Sequence, residues 1–274
     1  MGVWPESKKM AVVLSFDLDA ESLWTARDPK NLERPVTLSQ GEYGPRAGMP
    51  RILRLLKKYD LKATFFVTGW AMEKYPETVR DIVAGGHEIG HHGYHHEWLD
   101  NVTLEEEKII MAKGISMIKE FVPEGPVGYR SPSWEFTPNT IRLLKDNNFR
   151  YSSNMMNSDL PYLHKLNGTE IPLVELPVSW IMDDAPYFLY STRLVGRTIT
   201  DPNHVYSIWE QEYSGFYDEG LCFVLTMHPQ ITGRPSRTAM LERLIRRMRG
   251  DSNVWFATGR EVADHWLRKP RGSP

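Results

Sequence analysis

The chain moves between two hydrophobic rhythms almost from end to end. Short apolar or β-branched runs fall at Val12–Phe16, Ala63–Val67, His87–His91, Val127–Arg130, Phe149–Ser152, Leu173–Val178, Leu221–Met227 and Val254–Ala257. Several are apolar at consecutive positions, as strands buried on both faces of a parallel sheet are. Segments of helical period lie between them. Met49–Tyr59 sets Ile52, Leu55, Leu56 and Tyr59 on one face. Thr103 with Glu106 predicts a capping box at the start of the next long helix. Thr137-Pro138 and Asp201-Pro202 each place a capping residue before a proline at the first helical position. Closing helices are expected from Ser236 to Arg249 and from Gly259 to Lys269. Strands alternating with helices in this way predict an α/β fold, a parallel sheet closed into a barrel as one domain over 1–274. Two segments, Ala20–Gly48 and Asn154–Ile171, break the rhythm and read as long loops of the kind that usually carry function.

Charge and composition narrow the classes. Lys and Arg number 33 against 35 Asp and Glu, a net charge of −2 that argues against a nucleic-acid binder. With 41% hydrophobic and 25% charged residues, the composition excludes long disorder. The single cysteine, Cys222, excludes a disulfide framework and a cysteine-built zinc site, and its apolar run marks it as a buried thiol. No stretch approaches the roughly 18 apolar residues of a membrane span. The opening Met1-Gly2-Val3-Trp4-Pro5-Glu6 matches neither a signal peptide nor a myristoylation pattern, so a soluble cytoplasmic protein is expected.

Candidate chemistry sits at the ends of the predicted strands. Five of the nine histidines fall between His87 and His96. His92 and His96, His87 and His91, and His91 and His95 are each four apart, a spacing that can share a metal. The first strand runs into Asp17-Leu18-Asp19-Ala20-Glu21. Carboxylates at the end of a buried strand need compensation, although Asp19 or Glu21 could instead cap a turn. A divalent cation fed by one carboxylate and two imidazoles would compensate them and leave a position open, as catalytic zinc sites do. Arg130 ends the fourth predicted strand and His228 the seventh. The C-terminal strand ends of a parallel barrel form one rim, so Asp17, His92, Arg130 and His228 are expected to converge.

Asp17-Leu18-Asp19, His92-x-x-x-His96, Arg130-Ser131-Pro132 and the late His228 resemble, in order, the motifs of the polysaccharide deacetylase family. The resemblance spans about Val12 to Trp266. It implies a distorted (β/α) barrel of seven to eight parallel strands and a divalent metal, usually zinc, held by Asp19, His92 and His96. By the same resemblance Asp17 is the general base, Arg130 steadies it, and His228 is the general acid that protonates the departing nitrogen. Two features depart from the polymer deacetylases. Gly93 follows the first metal histidine where they usually carry Ser or Thr, and the first motif reads Asp-Leu-Asp-Ala-Glu rather than Asp-Asp-Gly. These features, with Glu42-Tyr43-Gly44-Pro45-Arg46, Asp159-Leu160-Pro161-Tyr162, Leu176-Pro177-Val178-Ser179-Trp180 and His228-Pro229-Gln230-Ile231-Thr232-Gly233-Arg234-Pro235, look similar to a cytoplasmic branch. That branch includes peptidoglycan deacetylases, cyclic-imide hydrolases and allantoinase-like enzymes.

Other residues carry weaker signals. His87 and Glu88 read as structural parts of the third strand, and His91 and His95 point away if the 92/96 pair binds metal. Glu21 either binds substrate or supports its loop. Trp134 and Trp180, with Tyr162 and Phe136, are candidate pocket walls or core packing. Asp183 and Asp184, which follow Trp180, read as a solvated turn, with substrate binding as the alternative. The Arg243, Arg246, Arg247 and Arg249 run reads as the solvent stripe of a helix. The expected substrate is therefore an N-acetylated amino sugar, or alternatively a small cyclic imide or ureide. A ligand-binding relative without catalysis is the third reading. Aromatic-bearing segments at Leu23–Gly48 and Tyr162–Trp180 would expose apolar area, so a homo-oligomer is expected.

Overall fold

Odd and even positions of the first strand have different surroundings, and that difference decides where the chemistry ends up. Met10, Val12, Leu14, Phe16 and Leu18 pack into the large core shared with the helices, whereas Ala11 and Val13 belong to a separate cluster with Phe66, Tyr151, Val174 and Val224. The period of two therefore puts Ser15, Asp17 and Asp19 on the same face as Ala11 and Val13, looking into the barrel. All nine residues of this strand are buried.

The computed structural model describes residues 3–5, 8–191, 196 and 198–269. The terminal readings on Met1, Gly2 and Glu6 lie outside the described residues, as do the ends of the 1–274 span. The strands are β1 (Met10–Leu18), β2 (Thr64–Val67), β3 (Glu88–His91), β4 (Gly128–Tyr129), β5 (Tyr151–Ser152), β6 (Tyr162–Leu166), β7 (Thr169–Glu175), β8 (Cys222–Met227) and β9 (Val254–Phe256). They form one sheet in the order β6-β7-β5-β4-β3-β2-β1-β8, with β9 paired to the first half of β1. Every pairing is parallel except that of β6 with β7. An isolated bridge between Asp183 and Thr226 lays the segment after β7 alongside β8, and this segment helps to close the curled sheet into a distorted barrel. The fold is the expected (β/α) barrel of eight parallel strands, with a ninth, antiparallel strand added at the edge.

The extra strand is β6. Its sequence Tyr-Leu-His-Lys-Leu is only partly buried and pairs antiparallel at the sheet edge, where mixed polarity is tolerated. The segment Asn154–Ile171 is thus a loop only as far as Pro161 and a hairpin arm from Tyr162 on. Ala20–Gly48 is also ordered: it holds helical turns at Ser22–Thr25 and Pro29–Glu33, the helix Pro35–Tyr43 and a π-helical turn at Gly44–Gly48. These pieces are short and weakly amphipathic, so they leave no hydrophobic period in the sequence.

The longer helices begin where capping chemistry places them. Leu104–Lys119 opens on the Thr103–Glu106 box, and Pro202–Glu219 opens on the Asp201 carboxylate, which accepts from Asn203 N. After Thr137-Pro138 the regular helix starts later than read, at Thr140 behind Asn139. Thr137 still caps the turn that leads into it, its hydroxyl accepting from Asn139 N at 3.0 Å while donating to buried Glu107, which also accepts from Thr140. On Pro235–Arg249 the apolar Leu241, Leu244, Ile245 and Met248 are buried, with Arg243, Arg246 and Arg249 exposed opposite them. No helix among the described residues is long and apolar enough to cross a membrane.

Candidate active site

The C-terminal end of β1 delivers Asp19 to a buried cluster. Asp19, His92 and His96 each bring a ligand atom within 4.8 Å of the others, and all three residues are buried. Asp19 Oδ1 lies 3.3 Å from His92 Nε2 and 3.9 Å from His96 Nε2. Asp19 Oδ1 and His92 Nε2 make no hydrogen bond despite complete burial. Orphaned donor atoms facing one another are costly unless something sits between them. The ring state agrees with metal binding. His92 Nδ1 donates to the Arg130 carbonyl at 2.8 Å, which leaves the lone pair on Nε2.

Electrostatics agree with the donor set. Burial opposes ionisation of Asp19, but the neighbouring imidazoles of His96, His92 and His228 outweigh it and bring the carboxyl to about 2. Burial holds His96 near 4, so its imidazole is neutral. Burial also disfavours a charge on His92, yet Asp17 and Asp19 more than offset this and raise its pKa. A proton and a cation therefore compete for the same nitrogen. The Asp19, His92 and His96 set thus fits a divalent metal such as zinc.

The loop between the two histidines is held by an unforeseen residue. Gly93 sits at φ 70°, and a Cβ there would lie 2.9 Å from Glu97 Oε2. Glu97 accepts from the backbone N–H groups of Tyr94 at 3.0 Å and His95 at 2.8 Å. A side chain four residues on supplies the support that a Ser or Thr at position 93 would give. His96 itself has φ 59°, an unusual conformation for a non-glycine residue, which points its ring back toward Asp19.

Asp17, also on the inner face of β1, is held by Arg130. One guanidinium nitrogen donates to Asp17 Oδ1 at 2.9 Å and to Ser15 Oγ at 2.9 Å. The remaining nitrogens reach the hydroxyl and carbonyl of Ser153. The guanidinium stacks 4.2 Å from the Phe66 ring. A charge this buried is tolerated because all three of its nitrogens are hydrogen-bonded and Asp17 neutralises it. Asp17 Oδ2 remains toward the cavity, 3.9 Å from His92 Nε2.

A second buried set surrounds His228. Its Nδ1 donates to Asp184 Oδ1 at 2.6 Å, while Asp184 Oδ2 accepts from His228 N at 2.9 Å and Thr232 Oγ1 at 2.5 Å. Nε2 is thereby turned toward the cluster of Asp19, His92 and His96, 3.8 Å from Asp19 Oδ2. Burial works against a charged His228, but Asp184 and Asp183 outweigh it and hold its pKa well above the usual value. Asp183 Oδ1 accepts from Ala185 N at 2.6 Å; burial raises its own carboxyl, although His228 opposes this. The solvated-turn reading of Asp183 and Asp184 is therefore wrong: they are 2% and 0% exposed. The signal was available, since a histidine ending a strand needs a partner for its second nitrogen.

Asp17, His92, His96 and His228 open into one cavity of about 340 Å³. Trp134 and Trp180 stack at 4.3 Å on one side of it, facing Leu23, Leu189 and Pro186, with Arg27 and Asp183 also on its wall. Consecutive positive φ angles at Ser133 (56°) and Trp134 (61°) throw the Trp134 ring into the cavity. Phe136 and Tyr162 do not line it.

Glu21, a candidate substrate ligand, is not in the cavity either. It is buried behind it, accepting from Lys74 Nζ at 2.6 Å and Tyr75 Oη at 2.7 Å, which fixes the turn after Asp19. His91 uses both nitrogens structurally, Nε2 toward the Met111 carbonyl and Nδ1 accepting from Gly93 N. His95 pairs with Thr25, and His87 Nδ1 accepts from Ala63 N. Glu88 is tied to Thr64 and Tyr151 within the sheet. Buried Cys222, whose thiol burial pushes up to about 12, is inert.

Comparison with known proteins follows this geometry. Residues 31–152 match the family model for polysaccharide deacetylase, which covers His92, His96 and Arg130 but neither β1 nor His228. A peptidoglycan deacetylase from Helicobacter pylori is 30% identical over 97% of this chain and 99% of its own length. A crystal structure from Mycobacterium smegmatis, assigned as a polysaccharide deacetylase, superposes with a TM-score of 0.92 at 38% identity, covering 99% of this chain and 96% of that one. Puue allantoinase superposes with a TM-score of 0.86 at 25% identity, over 98% and 94% of the two chains. The chain belongs to the polysaccharide deacetylase family, whose deacetylases are hydrolases of carbon–nitrogen amide bonds.

Proposed function

We propose that this protein is a metal-dependent hydrolase of non-peptide carbon–nitrogen bonds that removes N-acetyl groups from amino sugars, as one catalytic domain. The observation that carries the reading is the orphaned pair Asp19 Oδ1 and His92 Nε2 beside a base held by arginine and an acid held by aspartate. Asp19, His92 and His96 hold the metal, with zinc favoured by two imidazoles and a carboxylate. When bound, a divalent cation supplies Lewis acidity that polarises the amide carbonyl and acidifies water. Arg130 fixes Asp17 through Oδ1, so Oδ2 is the atom that takes the proton of the attacking water. His228, cationic through Asp184, donates from Nε2 to the leaving nitrogen, which departs as a neutral amine. Trp134 and Trp180 wall the cavity and exclude bulk water from the reacting bond.

A second reading, opening of a cyclic imide or ureide ring by the same residues, draws on two observations. The cavity of about 340 Å³ suits a small ring, and the allantoinase structure superposes over nearly the whole chain. A proton-NMR panel on zinc-loaded protein with N-acetylglucosamine oligomers, succinimide, dihydrouracil, hydantoin and allantoin separates them. Free acetate from the oligomers supports the first reading, ring-opened half-amide supports the second, and no turnover of any amide overturns both. Self-association is proposed too, on the exposure of Leu32 (64%) and Val36 (82%) in the segment between Ala20 and Gly48. A monomeric mass in light scattering would contradict it.

A further inference from the structure

The helical turn Pro229–Thr232 follows His228 directly, and two of its side chains reach into different parts of the site. Thr232 Oγ1 donates to Asp184 Oδ2. Gln230 Nε2 donates to Asp19 Oδ2 at 3.3 Å, on the far side of the carboxylate from the His92 and His96 nitrogens. Gln230 is 4% exposed, and its Oε1 is buried with no hydrogen bond. A buried amide with one unsatisfied oxygen lowers stability, so stability does not explain it. Its one made bond is to the metal carboxylate.

We propose that Gln230 is a positioning residue for the metal site, locking the Asp19 carboxylate so that Oδ1 faces the two imidazoles while Oδ2 is withheld. The inference rests on the metal reading above. An unrestrained aspartate rotates about its last bond and offers either oxygen or both; a donor fixed on Oδ2 removes that freedom before a cation arrives. The turn can act as a fixed point because it is clamped from outside. A Cβ on Gly48 would sit 2.1 Å from the Pro229 carbonyl, so the π-helical turn Gly44–Gly48 presses backbone to backbone against it. The segment that breaks the sequence rhythm is thereby the buttress of the metal ligand. One turn then carries two separable tasks, the metal carboxylate through Gln230 and the acid pair through Thr232.

The test is chelator-competition titration of zinc into the full chain as wild type, Gln230→Met and Thr232→Val, with the visible spectrum of each cobalt-loaded protein. Gln230→Met keeps length and volume but removes the donor. It is expected to weaken zinc roughly 10- to 100-fold and shift the cobalt bands. Thr232→Val is expected to leave zinc affinity and cobalt bands at wild-type values. If Gln230→Met does not fold, Gln230→Asn, which keeps the amide but falls short of Asp19, is expected to show the same weakening. Wild-type affinity and an unchanged cobalt spectrum in the folded Gln230 variant would overturn the proposal. Failure of the wild type to bind stoichiometric zinc would instead overturn the metal reading on which it rests.

Discussion

Two acid–histidine clusters lie side by side at the barrel rim, and they look alike until their hydrogen bonds are traced. Asp19, His92 and His96 form one; Asp183, Asp184 and His228 form the other. Both are buried, and either could hold a cation on composition alone. In the second, both Asp184 oxygens are occupied, by His228 N and Nδ1 and by Thr232. In the first, Asp19 Oδ1 and His92 Nε2 face each other unbonded. A completed network holds a proton in place, whereas an incomplete one fits a site for an ion. On the proposed reading, the same residue types divide into a metal cluster and an acid by what their second atoms already touch.

The largest effect expected from this contrast is at His92. His92→Ala should lose metal and turnover together, read as zinc content after dialysis and as a rate indistinguishable from background. Asp17→Asn separates chemistry from binding: turnover should fall about 10³-fold while zinc content stays at wild type. A preserved rate would remove Asp17 as the base. Asp184→Asn addresses the other cluster. It should cut kcat about 10²-fold with zinc affinity unchanged, because the acid loses its partner and the metal loses nothing. Trp180→Ala lies furthest from the reacting atoms. Loss of its stacking on Trp134 should raise KM roughly five-fold with kcat nearly constant; an equal loss in kcat would place Trp180 in transition-state stabilisation instead.

Period and local capping made most of the barrel legible. Eight of the strands fall on the predicted short runs, several of them apolar at consecutive positions, and Thr103 and Asp201 open their helices as read. What escaped was structure without a period. β6 is an edge strand of mixed polarity, and the turns between Ala20 and Gly48 are too short to repeat. At the site, Asp17, Asp19, His92, His96, Arg130 and His228 were legible because each ends a strand or follows one. Asp184 was misread and Glu21 left undecided for a common reason. Whether an acid near a turn faces solvent, a lysine or a histidine depends on what folds over it, here Lys74 for the first and β8 for the second. Glu97 and Gln230 were missed because each acts by a bond to backbone or to a ligand's second oxygen, which no spacing announces.

The central claim is that the cluster of Asp19, His92 and His96, and not that of Asp183, Asp184 and His228, holds the metal. Zinc titration by isothermal calorimetry of wild-type protein and Asp184→Asn tests it most directly. The account predicts one tight zinc per chain in both, with equal affinity. Two equivalents in the wild type, or loss of the tight site in Asp184→Asn, would contradict it.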